Sequence, residues 1–265
     1  MLAGKNSDKP DPVKIKVFRS PRLLLATVAQ GRTILRGFGF LFRARKLLAL
    51  GVFAGALALG AWIFPHDHAL LAKIHIWRGD QEDLARRIAW FLGTWGDYPT
   101  YNVPLALAIW LYGVGTKSSA WRRIAVICFL GATLAGLFDD LFRLTLGRAR
   151  PDAPVPDGFY GITYAFSGGF QSFPSGHAAA VFGTAAALIV TDLPLGLLTT
   201  VFALGVVWAR MELDRHYPSD VVVGSIIGVY FGLMVGFGAK LRRSRPLNRA
   251  RPSSDESLRG KSLHS

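Results

Sequence analysis

The 265-residue sequence predicts an all-α fold: a polytopic membrane protein built as a six-transmembrane-helix bundle, with both termini cytoplasmic. Three observations predict it. The chain is 51% hydrophobic with a mean hydropathy of +0.32, yet its net charge is +14, so an apolar body is joined to a basic periphery. Six apolar segments, at 47–64, 99–115, 124–144, 177–191, 195–210 and 221–239, approach the roughly 20 residues that a spanning helix needs. Finally, 22 of the 31 Lys and Arg fall in residues 1–46, in the loop of Lys117, Arg122 and Arg123, and in 240–261, all on one side of the expected bundle. Nucleic-acid binding would instead spread such charge over a soluble domain, so no nucleic-acid partner is expected.

Taken in order, residues 1–46 form a basic cytoplasmic segment. Leu24, Val28, Leu35 and Phe42 recur at helical spacing while Arg32, Arg36 and Arg43 share another face, which suits the surface of an anionic lipid bilayer. A disordered basic tail that satisfies the orientation rule is the alternative. The run at 47–64 reads as a retained span rather than a signal peptide, because 46 residues precede it and no small-residue cleavage site follows. Residues 47–239 then make up the membrane domain, with loops at 65–98, 145–176 and 210–220 on the outer side. Pro99 and Pro104 interrupt the second segment near its start, where proline is tolerated. "TDLPLG" between the fourth and fifth spans is short enough to force a helical hairpin. Residues 240–265 are polar, basic and expected to be disordered. Cys128, the single cysteine, sits in an apolar run and reads as packing.

Three outer-side stretches carry polar residues that a membrane edge tolerates only for a reason. The third span ends with Arg143, Arg148 and Arg150; "SFPSGHAAAVF" supplies Ser175, Gly176 and His177; the fifth span ends with Arg210, His216 and Asp220. Packing the last four helices side by side would gather these into one pocket. Guanidinium forks match phosphate oxygens, and several of them give a trianion site that needs no metal or other cofactor. The "PSG" turn adds backbone N–H groups at a helix start. A neutral imidazole held in one tautomer by a carboxylate can attack phosphorus, and His216 and Asp220 are the pair best spaced for that. His177 is left to protonate the departing oxygen and later to activate water.

Arg143, Arg150-Pro151, "PSGH" at 174–177, Arg210, His216 and Asp220 together resemble the three-part signature of the type 2 phosphatidic acid phosphatase superfamily, in its order and spacings. The resemblance implies a six-helix bundle, metal-independent phosphate release and a transient phosphohistidine. It implies His216 as nucleophile, Asp220 as its orienting partner and His177 as acid, with Arg143, Arg150, Ser175, Gly176 and Arg210 as the phosphate cradle. Two positions depart from it: Arg143 stands where the family has lysine, and Ala209 where it has serine. Implied substrates are membrane lipid phosphates or diphosphates, namely undecaprenyl diphosphate, lipid A phosphates, phosphatidic acid and phosphatidylglycerophosphate, with the first two leading. The compact chain and short loops suggest a bacterial inner membrane with the site facing the periplasm. A phosphotransferase using the same phosphohistidine, and a non-enzymatic protein with a degenerate site, are the alternatives. No oligomeric state is implied.

Other polar features read as structural. Asp139 and Asp140 lie one helical turn before Arg143 and are expected to orient it. His66, Asp67, His68 and His75 lack a completing ligand set and read as a solvated loop. "QEDLARRIAWFLGTW" at 81–95 is amphipathic, suited to lie on the outer leaflet and guide a lipid headgroup or to pack over the bundle.

Overall fold

The computed structural model describes residues 21–75 and 82–243. The first 20 residues of the basic segment and most of the C-terminal tail lie outside them. Ten helices follow in order: α1 (Pro21–Ala44), α2 (Lys46–Ile63), α3 (Asp67–His75), α4 (Glu82–Trp95), α5 (Val103–Gly115), α6 (Ser119–Leu146), the four-residue α7 (Ile162–Ala165), α8 (Gly176–Thr191), α9 (Leu193–Glu212) and α10 (Pro218–Arg243). Among the described residues the only extended pairing is an isolated antiparallel bridge between Arg148 and Phe159.

Among the described residues four stretches are long and apolar enough to cross a membrane: Lys46–His75, Ser119–Leu146, Leu193–Glu212 and Pro218–Leu241. α8 and α5 are apolar but shorter, at 16 and 13 residues. The chain is an integral membrane protein, and its described residues are predominantly helical.

α8 is the axis, packed against α6, α9 and α10. Its sequence explains this position. Ala178, Ala179, Ala180, Ala185, Ala186 and Ala187 are all buried, and small residues let helix backbones approach where lipid supplies no hydrophobic drive for association. At Gly183 a Cβ would press on the Gly131 backbone of α6, and the Gly183 carbonyl in turn faces Gly232 of α10. α1 packs on α10 and α6, burying Ile34, Gly37 and Leu41, so the described part of the basic segment is helical.

Helix ends follow local chemistry. Ser118 caps α6 by accepting from Trp121 N, and Gly147 ends it in the left-handed conformation at φ 59°. Asp192 caps α9 by accepting from Leu195 N at 3.1 Å, which makes the expected α8–α9 hairpin. Pro99 and Pro104 both sit in first turns: a π-helical turn at Tyr98–Asn102, capped by Asp97, leads straight into α5.

The expected outer loop at 65–98 differs most from its reading. Pro65 sits in a single 3-10 turn, Phe64–His66, where its missing N–H costs nothing, and the helix resumes as α3. "HDH" is therefore helical rather than a solvated loop, and Asp67 is fully buried.

Candidate functional site

All three motif stretches meet at one end of the α6–α8–α9–α10 core. Arg143 lies in the last turn of α6, and the chain after Gly147 is pinned by backbone bonds. Ala149 N donates to Gly158 O at 3.0 Å, Arg150 N to Gly169 O at 2.9 Å, and Ser172 N to Arg148 O at 3.1 Å. Ser175 caps α8, its N–H donating to the Asp220 carbonyl at 3.1 Å, so the second motif is tied to the start of α10. Arg210, near the end of α9, accepts through its carbonyl from Arg215 N and His216 N, which turns the chain into the third motif.

The two histidines face each other, ring centroids 6.4 Å apart. His216 is buried, and its Nδ1 lies 2.7 Å from the Ser172 carbonyl. A carbonyl only accepts, so Nδ1 carries the proton and Nε2 keeps its lone pair. The partner differs from the expected one, since Asp220 Oδ2 is 3.9 Å from Nδ1, beyond hydrogen-bond range. That oxygen instead accepts from Ser172 Oγ at 2.5 Å and Tyr217 N at 2.7 Å. Asp220 holds the residue whose carbonyl holds the histidine. Burial first, and then Arg210, Arg150 and His177, press the His216 pKa well below its ordinary value, so the ring is neutral at pH 7.

His177 is the second residue of α8. Its Nε2 lies 3.4 Å from Asp97 Oδ1, a carboxylate that sequence reasoning did not single out because it lies 80 residues earlier. Arg143, Arg150 and Arg210 are the charges that act on this ring. In each of these three arginines Nε is buried and, among the described residues, has no hydrogen-bond acceptor. Burial, followed by repulsion from Arg215, lowers the Arg150 guanidinium from its ordinary value. Three converging, under-satisfied guanidinium groups make a site that an anion would complete. Beside them a cavity of about 220 Å³ is lined by Asp97, Tyr98, Asp140, Arg143, Gly176 and His177. Gly176 gives room there: a Cβ would come within 3.3 Å of the Arg143 guanidinium.

The acidic pair on α6 divides. Asp140 forms the ion pair with Arg143, as its spacing predicts. Asp139 is fully buried under Gly176, with neither oxygen hydrogen-bonded among the described residues.

Arg148, expected beside Arg143 and Arg150, points elsewhere. It is completely buried, sandwiched between the Phe64 and Tyr217 rings at 4.4 and 4.2 Å. Its donors reach Asp220 Oδ1 at 2.6 Å, Ser219 Oγ at 2.8 Å, Asp67 Oδ2 at 2.9 Å and Asp157 Oδ2 at 3.1 Å. With its donors taken by three carboxylates and a hydroxyl, Arg148 cannot also grip a substrate. Burial lowers its pKa, but Asp220 and the bonds from Asp157 and Asp67 more than reverse this and hold it raised. Asp67 also accepts from Ser219 N at 2.8 Å and pairs with the Ser219 hydroxyl, fixing the first turn of α10. No local pattern could have announced this hub, since Asp67 and Ser219 are 152 residues apart.

Fold and site together define a helical integral membrane protein with three arginines and two histidines gathered at one end. The profile of the PAP2 superfamily matches residues 124–237. A decaprenylphosphoryl-5-phosphoribose phosphatase of Mycobacterium tuberculosis is 35% identical over 131 residues, which is 47% of this chain and 68% of that one. The chain belongs to the PAP2 superfamily. A lipid A 1-phosphatase of Rhizobium etli is 36% identical over 115 residues, 42% of this chain and 48% of that protein. The match thus spans about half the length of such relatives. The fold is also that of a transmembrane PAP2-type phosphatidylglycerolphosphate phosphatase from Bacillus subtilis, at a TM-score of 0.53 and 20% identity, over 74% of this chain and 98% of that one.

Proposed function

We propose that this protein is a membrane lipid phosphatase that releases phosphate from a lipid phosphate or diphosphate through a phosphohistidine on His216. The observation that carries the reading is the set of three buried, unpaired Nε donors of Arg143, Arg150 and Arg210 around two histidines, one with its Nε2 lone pair free. With a phosphoryl group in that cradle, His216 Nε2 attacks phosphorus. The bound phosphoryl anion offsets the three arginines, so that His177 takes up a proton from solvent in the complex; the bond from phosphorus to the leaving oxygen then breaks, and His177 gives that oxygen this proton. Neutral His177 then takes a proton from water, whose oxygen attacks phosphorus. The P–N bond breaks, phosphate leaves and His216 is neutral again. The arginines supply the positive charge that phosphate chemistry requires, so no metal takes part.

The lipid assignment rests on the activities named for the relatives and on the position of the site at the end of membrane-crossing helices. Undecaprenyl diphosphate and lipid A phosphates are the leading substrates. In this reading α2 with α3, α5, α6, α8, α9 and α10 make six spans, both termini are cytoplasmic and the site faces the periplasm of a bacterial inner membrane. The experiment is a panel of lipid phosphates and diphosphates in detergent with chelator present, read as free phosphate. Release from at least one lipid, lost in His216→Ala, is expected. Release that requires an acceptor lipid would make the protein a transferase, and release surviving His216→Ala would refute the mechanism.

A further inference from the structure

Asp139 is a buried carboxyl group that neither the packing of α6 nor the proposed reaction accounts for. It has no exposed surface, and neither of its oxygens is hydrogen-bonded among the described residues. Leaving such a group unpaired costs folding stability, and a protein keeps that cost where a site needs it. Its surroundings are those of the arginine cradle. A Cβ on Gly176 would lie 3.4 Å from Asp139 Oδ2 and 3.3 Å from a terminal nitrogen of Arg143, so carboxyl and guanidinium reach the same side of the turn that opens α8. Arg143 is also the charge that acts most strongly on Asp139, ahead of Asp140 and Asp220. Both partners are incomplete. Arg143 pairs through one terminal nitrogen with Asp140, whose side chain is 42% exposed, while its buried Nε has no acceptor.

We infer that Asp139 is the positioning residue of Arg143 in the phosphate-loaded site: when the anion arrives, Arg143 leaves Asp140, donates from Nε to Asp139 and turns both terminal nitrogens to the phosphoryl oxygens. The inference rests on the reading of these arginines as a phosphate cradle. Residues four apart on a helix are neighbours, so the new pair needs a side-chain rotation and no backbone movement. An ion pair with an exposed carboxylate is weak and gives way to a more highly charged anion. The two terminal nitrogens then match the phosphate edge, and Nε is left on another edge of the same plane for the buried carboxylate. A lysine would have to serve carboxylate and phosphate from one nitrogen. The arginine that stands where the family has lysine and the unpaired acid one turn before it therefore act as one unit.

The test is calorimetric titration of the purified protein in detergent with inorganic phosphate, at fixed pH and salt. The sign of the effect separates the two roles open to Asp139. A bystander carboxylate repels phosphate, so its removal would tighten binding, whereas loss of the positioning residue weakens it. Asp139→Asn is expected to weaken phosphate about tenfold, the worth of one charged hydrogen bond. Asp139→Leu should weaken it at least as much while raising the melting temperature of the phosphate-free protein, because an unpaired buried acid has been removed. Asp140→Asn, which frees Arg143 from its resting partner, should tighten binding. In an Arg143→Lys background, Asp139→Asn should no longer weaken it. Unchanged or tighter binding in Asp139→Asn, equal weakening in the Arg143→Lys background, or weakening in Asp140→Asn in place of Asp139→Asn would overturn the inference. So would a lack of phosphate binding to the unaltered protein, which would refute the cradle as well. Since binding is read rather than turnover, a failed lipid panel would refute the catalytic reading and leave this result to stand or fall by itself.

Discussion

Ser172 links the two halves of the site, because its carbonyl fixes the tautomer of His216 while its hydroxyl donates to Asp220. Arg148 and Arg150 lie two residues apart, yet Arg148 is buried among Asp67, Asp157 and Asp220 while Arg150 stands with the arginines beside the histidines. Arg148→Lys cannot satisfy Asp67, Asp157 and Asp220 together, and breaking a buried network of this kind costs about 3–5 kcal/mol. A large fall in melting temperature is therefore expected in calorimetry, whereas Arg150→Lys should lower phosphate release and leave melting nearly unchanged. A pH prediction follows from His216. Burial and then Arg210 depress its pKa, so the acid limb of kcat/KM due to this ring lies below the ordinary value of 6.5. Arg210→Gln removes a positive charge, favours the imidazolium, and should move that limb to higher pH, the substrate's own ionisation being common to both proteins. A limb that stays in place would mean that Arg210 does not act on His216. The candidate residues were legible in the sequence because their chemistry is short-range: Arg, "PSGH" and His-x-x-x-Asp are informative types at fixed spacings. Asp67 and Asp97 were not, because each acquires its partner only when segments distant in sequence are packed, and Asp157, nine residues from Arg148 in the same loop, belongs to no pattern that marks it.

At the scale of elements, α4 packs beside the site and presents an apolar face outward. Ala89, Gly93 and Gly96 are buried against the bundle, and Gly93 abuts Arg210, while Leu84, Ile88, Trp90, Phe91 and Trp95 remain 45–64% exposed. Such a face suits the outer interface, where tryptophan prefers to lie. Phe91→Ser with Trp95→Ser should reduce turnover of a long-chain lipid phosphate in vesicles severalfold. It should spare a short-chain, water-soluble analogue; equal losses on both would assign α4 to packing alone. The amphipathic pattern of α4 was readable in advance, though which of its two proposed uses applies was not. Span boundaries were less readable. The first span was expected to end at residue 64 and a loop to follow, but Pro65 sits in a single 3-10 turn after which the helix continues, carrying Asp67 under the site. α8 is short and enclosed by α6, α9 and α10, a tertiary fact that hydropathy does not register, whereas α5 packs mainly on α6.

The whole molecule separates its charges by end. One end holds the arginine and histidine cradle, the other Arg45 and Lys240, which line a cleft along α10, and between them lies an apolar bundle centred on the alanine-rich α8. Composition and charge bias were enough to read a membrane bundle with its polar chemistry gathered on one face. The central claim is that phosphate passes through His216. It is tested most directly by mixing the protein with a lipid phosphate or diphosphate labelled in the terminal phosphoryl group, quenching in alkali and locating the label by peptide mapping. The account predicts an alkali-stable, acid-labile label on His216 that appears before free phosphate accumulates and is absent in His216→Ala. Phosphate release with no labelled protein at any time, or a label carried by His177 instead, would contradict it.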